Sequence, residues 1–185
     1  MKKKSGKIAL FGSLMTLTMA AMLTAMSVVI GIFCKSVLNF GGGLFRVTFE
    51  NLPIIMSGIM FGPIVGGVVG AATDIISYFL SGQAYPINLL VTVGAALVGV
   101  CSGITAKYIF RKKGTLRIIV SASVAHIIGS MIVKPIGLFQ FYQWAVLWRV
   151  PLYLIIAPVE IVILCLIYKN SIMKRIIDGG VEDLI

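Results

Sequence analysis

Acidic residues are scarce in this chain of 185 residues, which has 6 Asp and Glu against 16 Lys and Arg, and a single histidine. One histidine cannot supply a metal site built on two histidines. The sequence has no His-Glu-x-x-His motif, no Gly-x-Ser-x-Gly motif and no phosphate-cradling loop. Cys34, Cys101 and Cys165 lack metal-ligand spacing, so we interpret them as packing residues. We predict no metal, no cofactor, no catalytic residue and no ATP hydrolysis by this chain itself.

Charged residues of either sign are also few. They make up 12% of the chain, hydrophobic residues make up 59%, and the mean hydropathy is +1.05. Apolar runs of this kind are typical of transmembrane helices. A net charge of +10 could indicate a nucleic-acid partner, but in a membrane chain basic residues are typical of cytoplasmic loops. The sequence therefore predicts a membrane protein whose environment is lipid, without nucleic acid.

Apolar segments predict six transmembrane helices, at residues 8–34, 51–61, 63–80, 87–110, 116–138 and 144–168. The first follows a lysine-rich start, as in a signal peptide, but it is too long for a cleaved signal. The second is too short to cross about 30 Å of hydrocarbon unaided, so we expect the loop before it to dip into a ligand pocket. We predict an all-α membrane protein with one domain, residues 1–185.

Basic residues predict the orientation of these helices. They concentrate at the N-terminus, between the fourth and fifth predicted helices, and after the sixth. Six spans place all three regions on one side of the membrane, so we expect both termini in the cytoplasm. The loops after the first, third and fifth helices then lie outside the cell.

Ionisable residues within the predicted spans are Asp74, His126, Lys134, Arg149 and Glu160. Each is costly in lipid and is therefore a functional candidate. From the helical rise per residue, Asp74 and Arg149 are expected at similar depth in the outer half, with Lys134 higher. His126 is expected near the middle and Glu160 in the inner half.

The outer half is predicted to gather cations, aromatic rings and amides into a pocket. Such a set would suit a flat heterocyclic ligand that carries carboxylates. Arginine holds a carboxylate with two parallel hydrogen bonds, aromatic rings stack on a heterocycle, and aspartate accepts paired N–H donors. The candidate binding residues are Arg46, Asp74, Tyr78, Tyr85, Asn88, Lys134, Trp144, Trp148 and Arg149.

Other roles are open for several of these residues. Asp74 and Arg149 could form a buried ion pair with no ligand. Trp144 and Trp148 could anchor the chain at the membrane interface, as could the two tyrosines. Lys134 could extend to the outer headgroups.

The deeper ionisable residues leave a further alternative. His126 could be a hydrogen-bonded residue of the helix bundle, and Glu160 could pair with it or with a partner helix. A small membrane enzyme using His126 and Glu160 is the rival function from another class. A purely structural partner subunit is a third possibility, for which the outer polar residues would have no use.

Small residues recur at four-residue spacing, which lets helices approach closely. Gly66 and Gly70 are best explained by packing within the bundle. Ala21 and Ala25, on the first predicted helix, could instead contact a partner membrane protein.

Four stretches carry a resemblance to a known family. They are RVTFENLPII at 46–55 with GIMFGP at 58–63, TDIISY at 73–78, QAYPIN at 83–88, and RVP at 149–151 with PVE at 158–160. Together they resemble the substrate-binding (S) components of energy-coupling factor (ECF) vitamin transporters, and most nearly the folate-type group, FolT. Thr73 and Ser77 stand where that group has Ala and Gly, a departure that bears on the exact ligand.

The resemblance implies a six-helix protein of the bacterial plasma membrane that captures one vitamin, here folate, from outside. It further implies docking on a transmembrane coupling protein and two cytoplasmic ATPases, with release by toppling in the membrane. In that family an Ala-x-x-x-Ala pattern on the first helix faces the coupling protein, and Ala21 and Ala25 fit it. Another vitamin, such as riboflavin or thiamine, is the alternative within the class.

Roles for the candidate residues follow as hypotheses from this resemblance. Arg46, Lys134 and Arg149 would neutralise the glutamate carboxylates of folate or close the loop over them. Asp74 would bind the N–H edge of the pterin. The remaining aromatic candidates would stack on the rings or form a lid.

Overall fold

The structure, a computed structural model, describes residues 14–40, 45–81, 88–110, 113–144 and 149–179. In this part of the chain the only strands are β1 (Asn39–Phe40) and β2 (Phe45–Arg46), which pair antiparallel with Asn39 opposite Arg46. Two π-helical segments, Thr105–Ile109 and His126–Val133, continue α4 and α5 respectively. The α-helices are α1 (Leu14–Val37), α2 (Asn51–Phe61), α3 (Pro63–Leu80), α4 (Leu89–Ile104), α5 (Thr115–Ala125), α6 (Lys134–Tyr142), α7 (Arg149–Lys169) and α8 (Ser171–Gly179).

Five helical spans among the described residues are long and apolar enough to cross a membrane. The remaining predicted helix, the second, is α2, which has only 11 residues. The predicted all-α membrane fold is therefore confirmed, including its short second helix. The five long spans are Leu14–Val37, Pro63–Leu80, Leu89–Ile109, Thr115–Phe139 and Pro151–Lys169.

The short helix α2 lies inside the bundle. Its residues 51–59 are all buried, and it contacts α1, α3 and α4. Gly62 then turns the chain with a φ of 97°, a left-handed value that glycine adopts without strain. Pro63 follows as the first residue of α3, where its missing N–H costs no helical hydrogen bond. Helices α2 and α3 are thus joined by a single glycine.

Glycines bring α3 and α4 into close contact. A Cβ added at Gly66 would lie 2.6 Å from the carbonyl oxygen of Gly99, and one at Gly99 would collide with the carbonyl oxygen of Gly66. These two helices share the most extensive contact in the described bundle. The small residues at 66, 70 and 99 therefore serve packing within the bundle, as expected.

Polar contacts gather where α1 and α3 end and where α2, α4 and α6 begin. We call this the polar end of the bundle. Since these termini come from five different helices, residues far apart in sequence meet there. Three hydrogen bonds mark it, from Lys35 to Ser81, from Lys134 to Asn51 and from Asn88 to Gly137.

The opposite end of the bundle is closed by α8, which the sequence analysis did not predict. Tyr168 of α7 donates a hydrogen bond of 2.7 Å to Asp178, and Arg117 of α5 lies 3.8 Å from the other oxygen of that carboxylate. Ile176 and Ile177 are buried against the bundle. This nine-residue segment contains basic residues typical of a cytoplasmic tail, although its apolar residues recur with the spacing of a helix.

Other predicted bounds also differ from the structure; the first predicted helix ends at residue 34, for example, whereas α1 continues to Val37. The fifth predicted helix ends at residue 138 in the sequence analysis, whereas α6 continues to Tyr142. The sixth was expected to begin at residue 144, but Trp144 lies in a turn of 3₁₀ helix and α7 begins at Arg149. Aromatic and amide residues at 139–143 resemble a loop in composition, and helix packing overrides that local preference.

Candidate ligand-binding site

Lys134 is the buried cation of the polar end. Only 5% of it is exposed, and its Nζ donates to Oδ1 of Asn51 at 2.9 Å and lies 3.5 Å from Oε1 of Glu50. It directly follows the π-helical segment His126–Val133, a type of distortion often found at functional sites. Lys134 therefore points into the bundle and does not extend to the headgroups.

Asp74 lies in the same group of charges. Thr92 of α4 donates its hydroxyl to Oδ2 of Asp74 at 2.7 Å. Lys134, Glu50 and Lys35 are all close enough to interact electrostatically with this carboxylate. The expectation that Asp74 and Lys134 come together at one end of the bundle therefore agrees with the geometry.

Among the described side chains of this cluster, two carboxylates balance two ammonium groups. Glu50 and Asp74 supply the negative charges, and Lys35 and Lys134 supply the positive ones. Any excess of positive charge in the predicted pocket would therefore come from Arg46 and Arg149, which are also candidate binding residues. The side chains of both arginines lie outside the described part of the structure, so their roles and the alternative Asp74–Arg149 pair stay predictions.

Asn88 joins two helices at the polar end. Its side-chain oxygen accepts a hydrogen bond of 3.0 Å from Leu90 N, which caps the start of α4. Its Nδ2 donates to the carbonyl oxygen of Gly137 in α6. Asn88 thus holds α4 against α6, and a direct contact with ligand stays a prediction.

Of the four aromatic candidates, the structure describes Tyr78 and Trp144. Tyr78 is half-buried and its ring meets that of Phe79 edge to face, with centroids 5.6 Å apart. Trp144 is 74% exposed and meets Phe139 edge to face at 5.7 Å. Such exposure fits either a lid or an interfacial anchor. Tyr85 and Trp148 lie outside the described residues.

Some buried polar atoms without a hydrogen-bond partner belong to residues of this cluster or to their neighbours in sequence. Within the described residues they include Thr48 Oγ1, Asn51 Nδ2, Thr73 Oγ1 and Ser77 Oγ. Buried polar groups are nearly always paired, so these atoms are suited to bind water or a ligand. Sequence analysis did not select them as binding residues, although the 46–55 stretch and the unusual Thr73 and Ser77 had drawn attention to these positions.

Glu50 and Lys35 also belong to the charged cluster, although they were not among the candidate binding residues predicted from the sequence. Glu50 immediately precedes α2, and Lys35 donates to the Ser81 hydroxyl at 3.2 Å from the last turn of α1. Both were assigned to a loop, where charged residues are ordinary. Their proximity to Asp74 and Lys134 becomes visible only in the structure, where the ends of several helices come together.

The deeper pair consists of His126 and Glu160. Nε2 of His126 lies 2.8 Å from Oε2 of Glu160, within ion-pair distance, and none of the polar side-chain atoms of the two residues has a hydrogen-bond partner among the described residues. The pair joins the π-helical segment after α5 to α7. Of the alternatives left open for Glu160, the geometry favours pairing with His126.

Helix α1 presents small residues away from the bundle. Ala21 and Ala25 are exposed, whereas Ala20, Leu23 and Ser27 on the other side are buried. The exposed face is apolar and therefore compatible with either lipid or a partner helix.

Comparison with known proteins assigns the family. A family model for the ECF transporter, substrate-specific component, matches residues 15–181. The folate transporter FolT of Clostridium novyi is 40% identical over 60 residues, which are 31% of this chain and 35% of that protein. An uncharacterised protein of Mycoplasma pneumoniae is 30% identical over 99 residues, or 54% of this chain and 20% of that protein. The matched regions thus span 35% and 20% of the length of these two relatives.

A solved structure has the same fold. The crystal structure of FolT bound with folic acid superposes with a TM-score of 0.60 at 21% identity, covering 92% of this chain and 96% of that one. This likeness confirms the architecture of the bundle. Because the family match extends over nearly the whole chain, the protein belongs to the substrate-specific (S) components of ECF transporters.

Proposed function

We propose that this S component captures folate for an ECF-type ABC importer. The observation that carries the proposal is the polar cluster of buried Asn51 and Lys134 with partly buried Asp74 and Glu50, at one end of a bundle with the FolT fold. The FolT relative from Clostridium novyi supports the choice of vitamin. Burying charged groups in a membrane protein is costly, so such groups usually mark a functional site, here one for ligand binding.

The chemistry of folate matches the groups in the cluster. Asp74 is a hydrogen-bond acceptor for the N–H edge of the pterin. Lys134, together with Arg46 and Arg149, would neutralise the two carboxylates of the glutamate moiety. Tyr78 and Trp144 would stack on the rings or cover them, and Tyr85 and Trp148 are proposed to act with them.

Delivery would require partner proteins. We place the polar end on the extracellular side of a bacterial plasma membrane, with both termini in the cytoplasm. Ala21 and Ala25 on the exposed face of α1 would contact a transmembrane coupling protein. Two cytoplasmic ATPases would hydrolyse the ATP, and this chain would act as a binding subunit and not as an enzyme.

Uptake by a reconstituted transporter tests the proposal. Proteoliposomes that contain this chain, a coupling protein and two ATPases should accumulate labelled folate only with ATP. The double variant Ala21→Leu/Ala25→Leu should bind folate normally but lose uptake, because bulky side chains prevent close helix approach. ATP-dependent uptake of riboflavin in place of folate would overturn the vitamin assignment.

The rival enzyme gains no support from the geometry. His126 and Glu160 are at most 1% exposed, so substrate has no direct access to them. The cluster at the polar end also has no purpose in a purely structural subunit. We therefore retain capture of a vitamin as the function.

A further inference from the structure

Glu50 occupies a position between three helices. Its carbonyl oxygen accepts a hydrogen bond from the hydroxyl of Ser27 in α1. Its carboxylate lies against Gly31, where an added Cβ would come within 2.8 Å of Oε2. The same carboxylate extends to Lys134, with 3.5 Å between Oε1 and Nζ. Glu50 therefore joins α1 to the buried cation at the start of α6.

The side chain of Glu50 is not needed to cap α2. Glu50 occupies the N-cap position, but its side chain forms no capping hydrogen bond with that helix. The start of a helix favours negative charge, and a carboxylate placed there also compensates Lys134. The side chain thus acts as a counter-ion, while the backbone of the residue makes the contact with Ser27.

Asn51 supplies a second donor beside Lys134. Its Oδ1 accepts the hydrogen bond from Nζ of Lys134, and its Nδ2 is buried without a partner among the described residues. Asn51 itself is 0% exposed. A buried amide N–H next to an ammonium group is a combination that binds a carboxylate. The two donors therefore mark a place for one anionic group.

We infer that Asn51 and Lys134 bind a carboxylate of the ligand, and that Glu50 is the exchangeable counter-ion that the ligand carboxylate replaces. The inference rests on the proposed function, which supplies a dicarboxylate ligand. Before binding, Glu50 compensates the buried ammonium group. On binding, the ligand anion takes over this compensation, and the Glu50 side chain moves away from Nζ.

Selection for charge follows from this exchange. A ligand carboxylate takes the place of the Glu50 carboxylate beside Lys134 and also accepts a hydrogen bond from Nδ2 of Asn51. A neutral analogue would leave Lys134 without the carboxylate contact of Glu50 if Glu50 moved, and would be excluded from the two donors if Glu50 stayed. Glu50 is therefore a specificity-determining residue that discriminates against ligands without the anion.

The variant Glu50→Gln tests the exchange because it preserves shape and the backbone contact with Ser27. We expect it to lower the melting temperature of the ligand-free protein, since a buried ammonium group loses its counter-ion. Folate should bind about tenfold more tightly, because the competing carboxylate is gone. For the bis-amide of folate, which lacks both carboxylates, the same variant should increase the affinity much less.

Two further variants serve as controls. Asp74→Asn removes another carboxylate of the cluster, the one that accepts the hydrogen bond from Thr92, and it should not tighten folate binding. Asn51→Leu removes the amide oxygen and the amide N–H donors at similar size, and it should weaken folate binding more than binding of the bis-amide. This second prediction applies even if Glu50→Gln does not fold.

The outcomes separate the inference from the proposed function. Wild-type protein that binds folate, together with a Glu50→Gln variant that binds it more weakly, would overturn the exchange and leave folate capture intact. The same conclusion would follow if Glu50→Gln or Asn51→Leu changed folate and bis-amide binding equally. Folded wild-type protein that binds no folate would overturn the proposed function and the exchange with it.

Discussion

Nε2 of His126 lies 2.8 Å from Oε2 of Glu160, and both side chains are almost completely buried. Removing one member leaves a polar or charged group without its partner, which for buried ion pairs costs about 3–5 kcal/mol. We expect Glu160→Ala and His126→Ala each to lower the free energy of unfolding by an amount in this range. Thermal unfolding in detergent micelles measures it.

The double variant His126→Leu/Glu160→Met provides the control for that pair. Apolar side chains of similar volume leave no buried polar group, so the double variant should be more stable than either alanine variant. If the double variant were the least stable of the three, the attraction between His126 and Glu160 would have to exceed by far the free-energy cost of burying them, which would contradict this account.

Gly99 is predicted to be intolerant of a larger side chain. Alanine there would collide with the backbone of Gly66, and backbone cannot move aside as a side chain can. We expect Gly99→Ala to cost about 1–3 kcal/mol of unfolding free energy. Gly67→Ala is the matched control, because its Cβ would meet the side chain of Val100 at 2.7 Å, and that side chain can adjust. Equal melting temperatures of the two variants would contradict this account of the α3–α4 contact.

Asp74 is expected to be the largest single contributor to folate affinity among the described side chains. Hydrogen bonds to a charged group contribute about 1.5–3 kcal/mol, so Asp74→Asn should weaken binding roughly 10- to 100-fold. Thr92→Val removes only the hydroxyl that donates to Asp74 and should have a smaller effect. Equilibrium titration of each variant measures the change, and a larger loss for Thr92→Val would show that the carboxylate does not contact folate.

The contacts of α8 are predicted to affect stability and not ligand affinity. Asp178 accepts from Tyr168 and faces Arg117, whose Nη2 lies 3.3 Å from the carbonyl oxygen of Ile59 at the end of α2. We expect Tyr168→Phe to cost about 1 kcal/mol of unfolding free energy, as for one hydrogen bond. Folate affinity should be unchanged, because these residues lie at the end of the bundle opposite the polar cluster. A tenfold loss of affinity in Tyr168→Phe would contradict this separation.

Helix positions followed well from the sequence because apolar length is a strong local pattern. The third predicted helix, residues 63–80, agrees with α3 at both ends, and the short α2 begins at Asn51 as predicted. Gly62 and Pro63 mark the boundary between them by their backbone geometry. Helix α8 was missed because nine residues with several charges do not resemble a membrane span.

The binding cluster was predictable only in part. Counting residues along the helices placed both Asp74 and Lys134 in the outer half, with Lys134 higher. The pairing of Lys134 with Glu50 and Asn51 joins positions more than 80 residues apart and depends on how the helices pack. The π-helical segment before Lys134 also changes which way that residue faces, and no local pattern in the sequence indicates it.

Calorimetric titration of folate into the purified protein in mild detergent tests the central claim most directly. The account predicts saturable binding of one folate per chain, with riboflavin and thiamine in excess leaving that binding unchanged. Folded protein that gives no binding heat with folate, or that releases folate when riboflavin is added, would contradict it.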